Sequence, residues 1–301
     1  MKYFMDVIWD GGIMRNHEYW YSEIHAKGVK FSLGAEVLHQ EQTSFQKLMI
    51  MKNETFGVFL TLDGYVQLTE RDEFIYHDMI CHPALAVNPD IKRVLIIGGG
   101  DGGTAREVAR YKHIESIDMV EIDETICRLA CIYFPRTAKV FTNEPRLRLM
   151  IGDGVGFVKH APDASYDLIL VDSTDPFGPG KGLFSREFYA DCNRVLTEKG
   201  ILINQHESAF YADDALLMKH AHDKIADNFP VARIFGFNMP TYASGYWYFG
   251  FASKKPDPLA DVQLERWKDF DLKTRYYNAD IHRAAFALPT YVQELLQSDW
   301  E

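Results

Sequence analysis

The sequence predicts an α/β fold, a mostly parallel sheet with helices on both faces, preceded by a small antiparallel β domain. Three observations carry this. Residues 94–104 read Val-Leu-Ile-Ile-Gly-Gly-Gly-Asp-Gly-Gly-Thr. That is a short β-branched apolar run, as in a buried parallel strand, followed by glycines where the backbone needs room. Beyond it, apolar runs and helical patterns alternate, as they do when helices connect parallel strands. Before it, two alternating runs are joined by Asp63-Gly64, a two-residue hairpin link.

Taken in order, residues 1–30 are aromatic and mixed in charge, with Trp9, Tyr19, Trp20 and Tyr21, and predict no element. The β pattern begins near Ala35. Residues 45–51 form a candidate strand, and 55–62 another, with Val58, Leu60 and Leu62 on one face. The hairpin link leads into 65–69. Residues 1–70 are thus expected as a β domain and 71–301 as the nucleotide-type fold. So small a sheet hardly stands alone and should pack on the main domain or on a second subunit. A helix over 72–81 carries the stripe Phe74, Ile75, Met79 and Ile80, and Pro83 and Pro89 mark its end. Strands follow at 94–97, 116–121, 146–151, 167–172 and 200–205, with helices at 104–111, 124–132, near 155–160 and at 185–197. After residue 211 come a long helix, β runs at 231–237 and 246–252, and short helices at 264–270 and 291–296.

The net charge of −11 argues against nucleic acid as a partner, since no basic patch is there to release counterions. It favours cationic substrates. The four cysteines, at 81, 127, 131 and 192, form no C-x-x-C and suggest neither a disulfide framework nor a zinc site. Asp6 and Asp10 interrupt any signal peptide, and no apolar run approaches a membrane span, so a cytoplasmic protein is expected.

Gly98, Gly100 and Gly103 satisfy G-x-G-x-x-G, a weak pattern that suggests a dinucleotide with its diphosphate on the helix N-terminus. Asp101 sits where that diphosphate would lie. Its carboxylate would repel phosphate and attract a cation. The ligand that fits is a nucleoside carrying positive charge and no phosphate, such as an S-adenosyl sulfonium with an amine. A dehydrogenase is disfavoured for the same reason. Glu121 ends the second strand, placed to accept both ribose hydroxyls. Asp172 and Asp175 lie beyond the fourth strand, where open α/β sheets bind ligands, and a Pro/Gly-dense stretch suited to a lid follows. Such acids could grip an ammonium group and take the proton of an attacking nitrogen. Asp153, after the third strand, could reach an adenine amino group or simply cap a turn. Tyr76, His77 and Tyr242 could hold a methylene chain and its charged ends.

The segments GGGDGG (98–103), VEID (120–123), GDG (152–154), DSTDP (172–176) and PTY (240–242), with LDGYVQLTERDEFIYH (62–77), resemble the spermidine synthase family from about residue 35 to about 290. The resemblance implies a Rossmann-like, methyltransferase-type sheet behind an N-terminal β domain, in a homodimer or homotetramer. It implies aminopropyl transfer from decarboxylated S-adenosylmethionine, a cosubstrate, to putrescine, with no cofactor and no metal. Asp172 would be the catalytic base and Asp101 would hold the aminopropyl amine. Glu121 would bind the ribose, and Asp153 with Gly154 the adenine side. Gln46 and Gln67 would reach the cosubstrate from the β domain. His77, Tyr76, Asp175 and Tyr242 would line the polyamine channel, and Pro179 would lie in the lid. Agmatine, cadaverine and spermidine stay open as acceptors, and a methyltransferase or a non-catalytic polyamine or nucleoside sensor remains a rival reading.

Overall fold

The computed structural model describes residues 19–174 and 178–298. Five antiparallel strands come first: β1 (Tyr19–Ala26), β2 (Val29–Gln42), β3 (Lys47–Asn53), β4 (Gly57–Leu62) and β5 (Tyr65–Thr69), paired in chain order. The β region therefore starts earlier than the expected Ala35. Tyr21 and Glu23 point inward while Trp20 and Ile24 are exposed. Apolar side chains on the outer face erase the alternation that would have marked a strand. Asp63-Gly64 does join β4 to β5, with both residues at positive φ.

Helix α1 (Glu73–Val87) follows, then β6 (Arg93–Gly98), α2 (Gly103–Ala109), β7 (Ser116–Glu121) and α3 (Glu124–Tyr133). Two short helices, α4 (Pro135–Ala138) and α5 (Val140–Asn143), precede β8 (Leu147–Ile151), α6 (Gly154–His160) and β9 (Tyr166–Asp172). A 3-10 turn (Gly178–Phe184), α7 (Arg186–Val195), β10 (Leu196–Gln205), α8 (Ala212–Ala226), β11 (Val231–Asn238) and β12 (Tyr246–Ser253) complete the sheet. The tail holds α9 (Leu264–Lys268), α10 (Ala279–Ala285) and α11 (Thr290–Gln297).

Two expectations are corrected. Pro83 lies inside α1 instead of ending it, and the helix is buried nearly all round, not along one stripe. A proline inside a helix costs about 3 kcal/mol. Here Ala84, Leu85, Ala86 and Val87 beyond it are buried in the main core, which offsets that cost. The helices at 135–143 and 279–285 had no readable signal, because each is too short to show a period.

The second sheet has the order β11-β12-β10-β9-β6-β7-β8. Strands β8, β7, β6, β9 and β10 are parallel, β12 runs antiparallel to β10, and β11 pairs antiparallel with β12 at the edge. The chain winds outward from β6 through β7 to β8, then crosses to β9 on β6's other side. The crevice at the carboxyl ends of β6 and β9 is the topological switch point, where such folds bind ligands. Gly98 there pairs in register with Asp172. Apolar cores fill both faces of this sheet. The N-terminal sheet packs on it through Leu48, Ile50, Leu60 and Leu62 against Ile126, Leu129 and Phe134.

Candidate active site

A cavity of about 340 Å³ opens at the switch point, between the N-terminal sheet and the carboxyl edge of the large one. Its floor is the glycine turn. Gly98 has φ +83°, and a side chain there would collide with the Asp172 carbonyl oxygen. Gly99 N–H donates to that same oxygen at 2.8 Å, which fastens the turn to β9. At Gly100, a methyl would stand 2.8 Å from Ile126 and 3.0 Å from the Glu121 carboxylate. Only glycine lets the backbone come this close to its neighbours.

Three sets of side chains line the cavity. On one side are Gln46, Glu121, Asp153 and Gly154. Gln46 Nε2 donates to Asp123 at 3.2 Å, and Asp123 N–H donates to Glu121 Oε1 at 2.9 Å. The β3 edge is thereby tied to the tip of β7. Burial pushes the Glu121 carboxyl up to about 7, with the nearby charges of Asp123 and Asp172 adding to it. Asp153 accepts from Val155 N and Gly156 N, both at 3.0 Å, so it caps α6 while facing the cavity.

In the centre are His77, Asp101 and Asp172, whose facing atoms all lie within 4.8 Å of one another. Thr104 Oγ1 donates to Asp172 Oδ2 at 2.6 Å, and the Tyr76 hydroxyl bonds the same carboxylate. Burial and then Asp101 raise the Asp172 carboxyl, while His77, Thr104 and Tyr76 hold it down. Asp101 accepts from Gly103 N at 2.8 Å. His77 Nε2 stands 3.3 Å from Asp101, and its Nδ1 is 2.6 Å from Glu73. Burial opposes a charge on this imidazole, but Asp101 and Glu73 outweigh it and lift it to about 10.

On the third side, Tyr76 and Tyr242 meet edge to face, with centroids 6.1 Å apart, and Trp247 stands 5.1 Å behind Tyr242. The Tyr242 hydroxyl donates to the Gln67 carbonyl, while Gln67 Nε2 turns back to the Tyr65 carbonyl at 3.3 Å. Glu23, Gln205, Glu207 and Asp213 also line the cavity. The fold thus brings Gln46, Gln67, Tyr76, His77, Gly98, Gly100, Asp101, Glu121, Asp153, Gly154, Asp172 and Tyr242 to one cavity. Asp175 and the Pro179 side chain lie outside the described residues.

Sequence reading missed Thr104, Glu73, Arg106 and the lining acids Glu23, Glu207 and Asp213. Glu73 had a signal, four residues before His77 on one helix face. The others become neighbours only through the fold. A second buried trio, Asp78, His82 and Glu107, lies below the cavity. Its acids are already engaged: Asp78 accepts three backbone N–H groups, and Glu107 pairs with Arg106 and Arg110.

Residues 73–263 match the sequence model of the spermine/spermidine synthase domain, and residues 19–70 that of the spermidine synthase tetramerisation domain. The polyamine aminopropyltransferase of Clostridium acetobutylicum is 56% identical over 92% of this chain and 98% of its own. That of Alkaliphilus oremlandii is 50% identical over 94% of this chain and 100% of its own. A spermidine synthase solved with the transition-state analogue AdoDATO superimposes with a TM-score of 0.90 at 36% identity, covering 95% of this chain and 98% of that one. The spermidine synthase of Thermotoga maritima gives 0.88 at 37% identity, over 94% and 95%. Fold and site define a transferase built on a Rossmann-like, methyltransferase-type sheet. Within that class, the chain belongs to the spermine/spermidine synthase family.

Proposed function

We propose that this chain moves the aminopropyl group of decarboxylated S-adenosylmethionine to putrescine, giving spermidine and 5′-methylthioadenosine. The observation that carries the reading is the position of Asp172. It stands at the end of β9, between the nucleoside side and the aromatic channel, with Asp101 and His77 beside it.

Glu121 accepts the ribose hydroxyls, Asp153 and Gly154 meet the adenine, and Gln46 closes the nucleoside from the β sheet. Asp101 holds the ammonium of the aminopropyl chain and would repel the carboxylate of ordinary S-adenosylmethionine. The acceptor's methylenes lie against Tyr76 and Tyr242, while Gln67, with Gln46, reaches the cosubstrate from the β sheet. Its distal ammonium faces the acids Glu23 and Glu207.

An alkylammonium has no lone pair, and amines of this kind have a pKa of about 10.4. Asp172 orients the proximal nitrogen and takes its proton. The nitrogen then attacks the propyl carbon in line with the sulfonium. A C–N bond forms, the C–S bond breaks, and sulfur keeps the electron pair as a neutral thioether. Catalysis rests on alignment and proton acceptance, since a carboxylate alone would also stabilise the ammonium.

Residues 1–70 act in this reading as an assembly and closing domain, and the protein works as a homo-oligomer; the tetramerisation-domain match supports this. A cytoplasmic location accords with four free cysteines and, among the described residues, no helix long and apolar enough to cross a membrane. The test is an acceptor screen with decarboxylated S-adenosylmethionine, read by mass spectrometry. Putrescine should yield spermidine and methylthioadenosine. Faster turnover of agmatine, cadaverine or spermidine would reassign the acceptor. No methylthioadenosine with any amine would refute the transfer.

A further inference from the structure

His77 meets the cavity through its Nε2 edge. Its other edge rests on residues to which the transfer reaction, as described, gives no part. Glu73 lies one helical turn earlier on α1, so both side chains share a face. Glu73 Oε2 is 2.6 Å from His77 Nδ1. Arg106, on α2, clamps the same carboxylate with two N–H donors, at 3.0 Å to Oε1 and 2.9 Å to Oε2. Burial opposes ionisation of Glu73, but His77 and Arg106 together hold it down at about 2. A carboxylate so held is an acceptor only, so Nδ1 must carry a hydrogen.

The ring is also trapped. The Tyr76 ring meets it at 83° with centroids 5.6 Å apart, and a side chain on Gly103 would collide with it from the other side. With Nδ1 fixed on Glu73, Nε2 can only face Asp101.

We propose that Glu73, anchored by Arg106, is a positioning residue for the transfer: it locks His77 with Nδ1–H on its own carboxylate and Nε2–H toward Asp101, which stands a cation beside Asp101 and Asp172. The Asp101 charge this close disfavours the ionised form of Asp172. The imidazolium offsets that repulsion and keeps Asp172 able to accept a proton. The groups facing Asp172 are Tyr76, His77 and Cys81 from α1, Asp101 and Thr104 from the glycine turn and α2, and Glu121 from β7. Among the described residues, His77 is the only cation of these. This inference rests on the reading of Asp172 as the base.

The test is Glu73→Gln, which keeps size and shape but can no longer hold the imidazole charged. The ratio of wild-type to variant kcat is measured from pH 6 to 9 with putrescine. Any titration of the amine itself is common to both enzymes and cancels. Losing the facing charge should move the acid limb up by about one pH unit or more. The ratio should therefore grow as pH falls, reaching about tenfold or more only below the acid limb of both enzymes, and fall toward one at the alkaline end. In a His77→Gln background, Glu73→Gln should change nothing further. A flat ratio, or the same loss in the His77→Gln background, overturns the proposal. Should Glu73→Gln not fold, nitrogen NMR of labelled histidine in the wild-type enzyme decides. Both ring nitrogens of His77 protonated at pH 7 supports the proposal, and a neutral ring overturns it. Near wild-type turnover by Asp172→Asn would instead refute the base assignment and leave the NMR result on His77 standing.

Discussion

Replacing Thr104 by valine removes one hydrogen from the site and almost nothing else. The Thr104 side chain is fully buried, and its hydroxyl donates to Asp172 Oδ2 at 2.6 Å. Valine fills the same outline without the donor. A hydrogen bond to a charged group contributes about 1.5–3 kcal/mol. At about 1.4 kcal/mol per pKa unit, losing it should raise the Asp172 carboxyl by about one to two units. The lower figure is expected, because a protonated carboxyl also bonds a hydroxyl. The direction follows from the titration. Asp172 accepts a proton only when ionised, so raising its pKa removes activity at the acid end and restores it as pH rises. Steady-state kcat with putrescine from pH 6 to 9 should show a wild-type to variant ratio that grows as pH falls, toward about ten below the acid limb of both enzymes, and approaches one at the alkaline end. A ratio independent of pH would mean that Thr104 only packs, and the account of how Asp172 is kept ionised would be wrong on that point.

Three further perturbations bear on the same design. Asp172→Asn should lose about 10²- to 10⁴-fold in kcat while methylthioadenosine still binds by calorimetry; turnover within tenfold of wild type would remove Asp172 from the chemistry. Gly98→Ala forces a positive φ on a residue with a side chain and drives a methyl into the Asp172 carbonyl, so it should cost at least about 3 kcal/mol, seen as a clearly lowered melting temperature. An unchanged melt would show that the turn relaxes freely. Glu121, raised from 4.5 to about 7, should bind methylthioadenosine more weakly below pH 7, because only the carboxylate accepts both ribose hydroxyls. The same raised pKa means that stability is lost as pH climbs from 4.5 through about 7. Glu121→Gln should therefore melt higher than wild type at pH 8, by roughly 3 kcal/mol at most, while binding the nucleoside poorly and without pH dependence. A lower melt at pH 8 would contradict the burial cost assigned to Glu121.

Most of the strands and the larger helices were legible because each has a period short enough to read locally. The run at 94–97 and the Asp63-Gly64 hairpin are instances. Residues 19–26 were not, since exposed Trp20 and Ile24 hide the alternation on the outer face. Pro83 was read as a stop, yet the surrounding core keeps α1 helical past it. Among the acids, Asp101, Glu121, Asp153 and Asp172 could be singled out because each follows a strand, where the chain of an α/β fold reaches the ligand edge. Glu23 and Glu207 had no comparable mark.

By itself the amino-acid sequence determined which groups line the cavity: a glycine turn with an acid inside it, acids at strand ends, and two tyrosines with a histidine. It also determined that the central strands are buried on both faces, and so parallel. Only the tertiary structure decided that Gly98 lies in register with Asp172, because strand order depends on crossovers that no local pattern records. It alone decided the charge states as well. Glu121 is poised near neutrality and His77 held as a cation because of what is buried around each, and burial is a property of the whole fold, not of any segment.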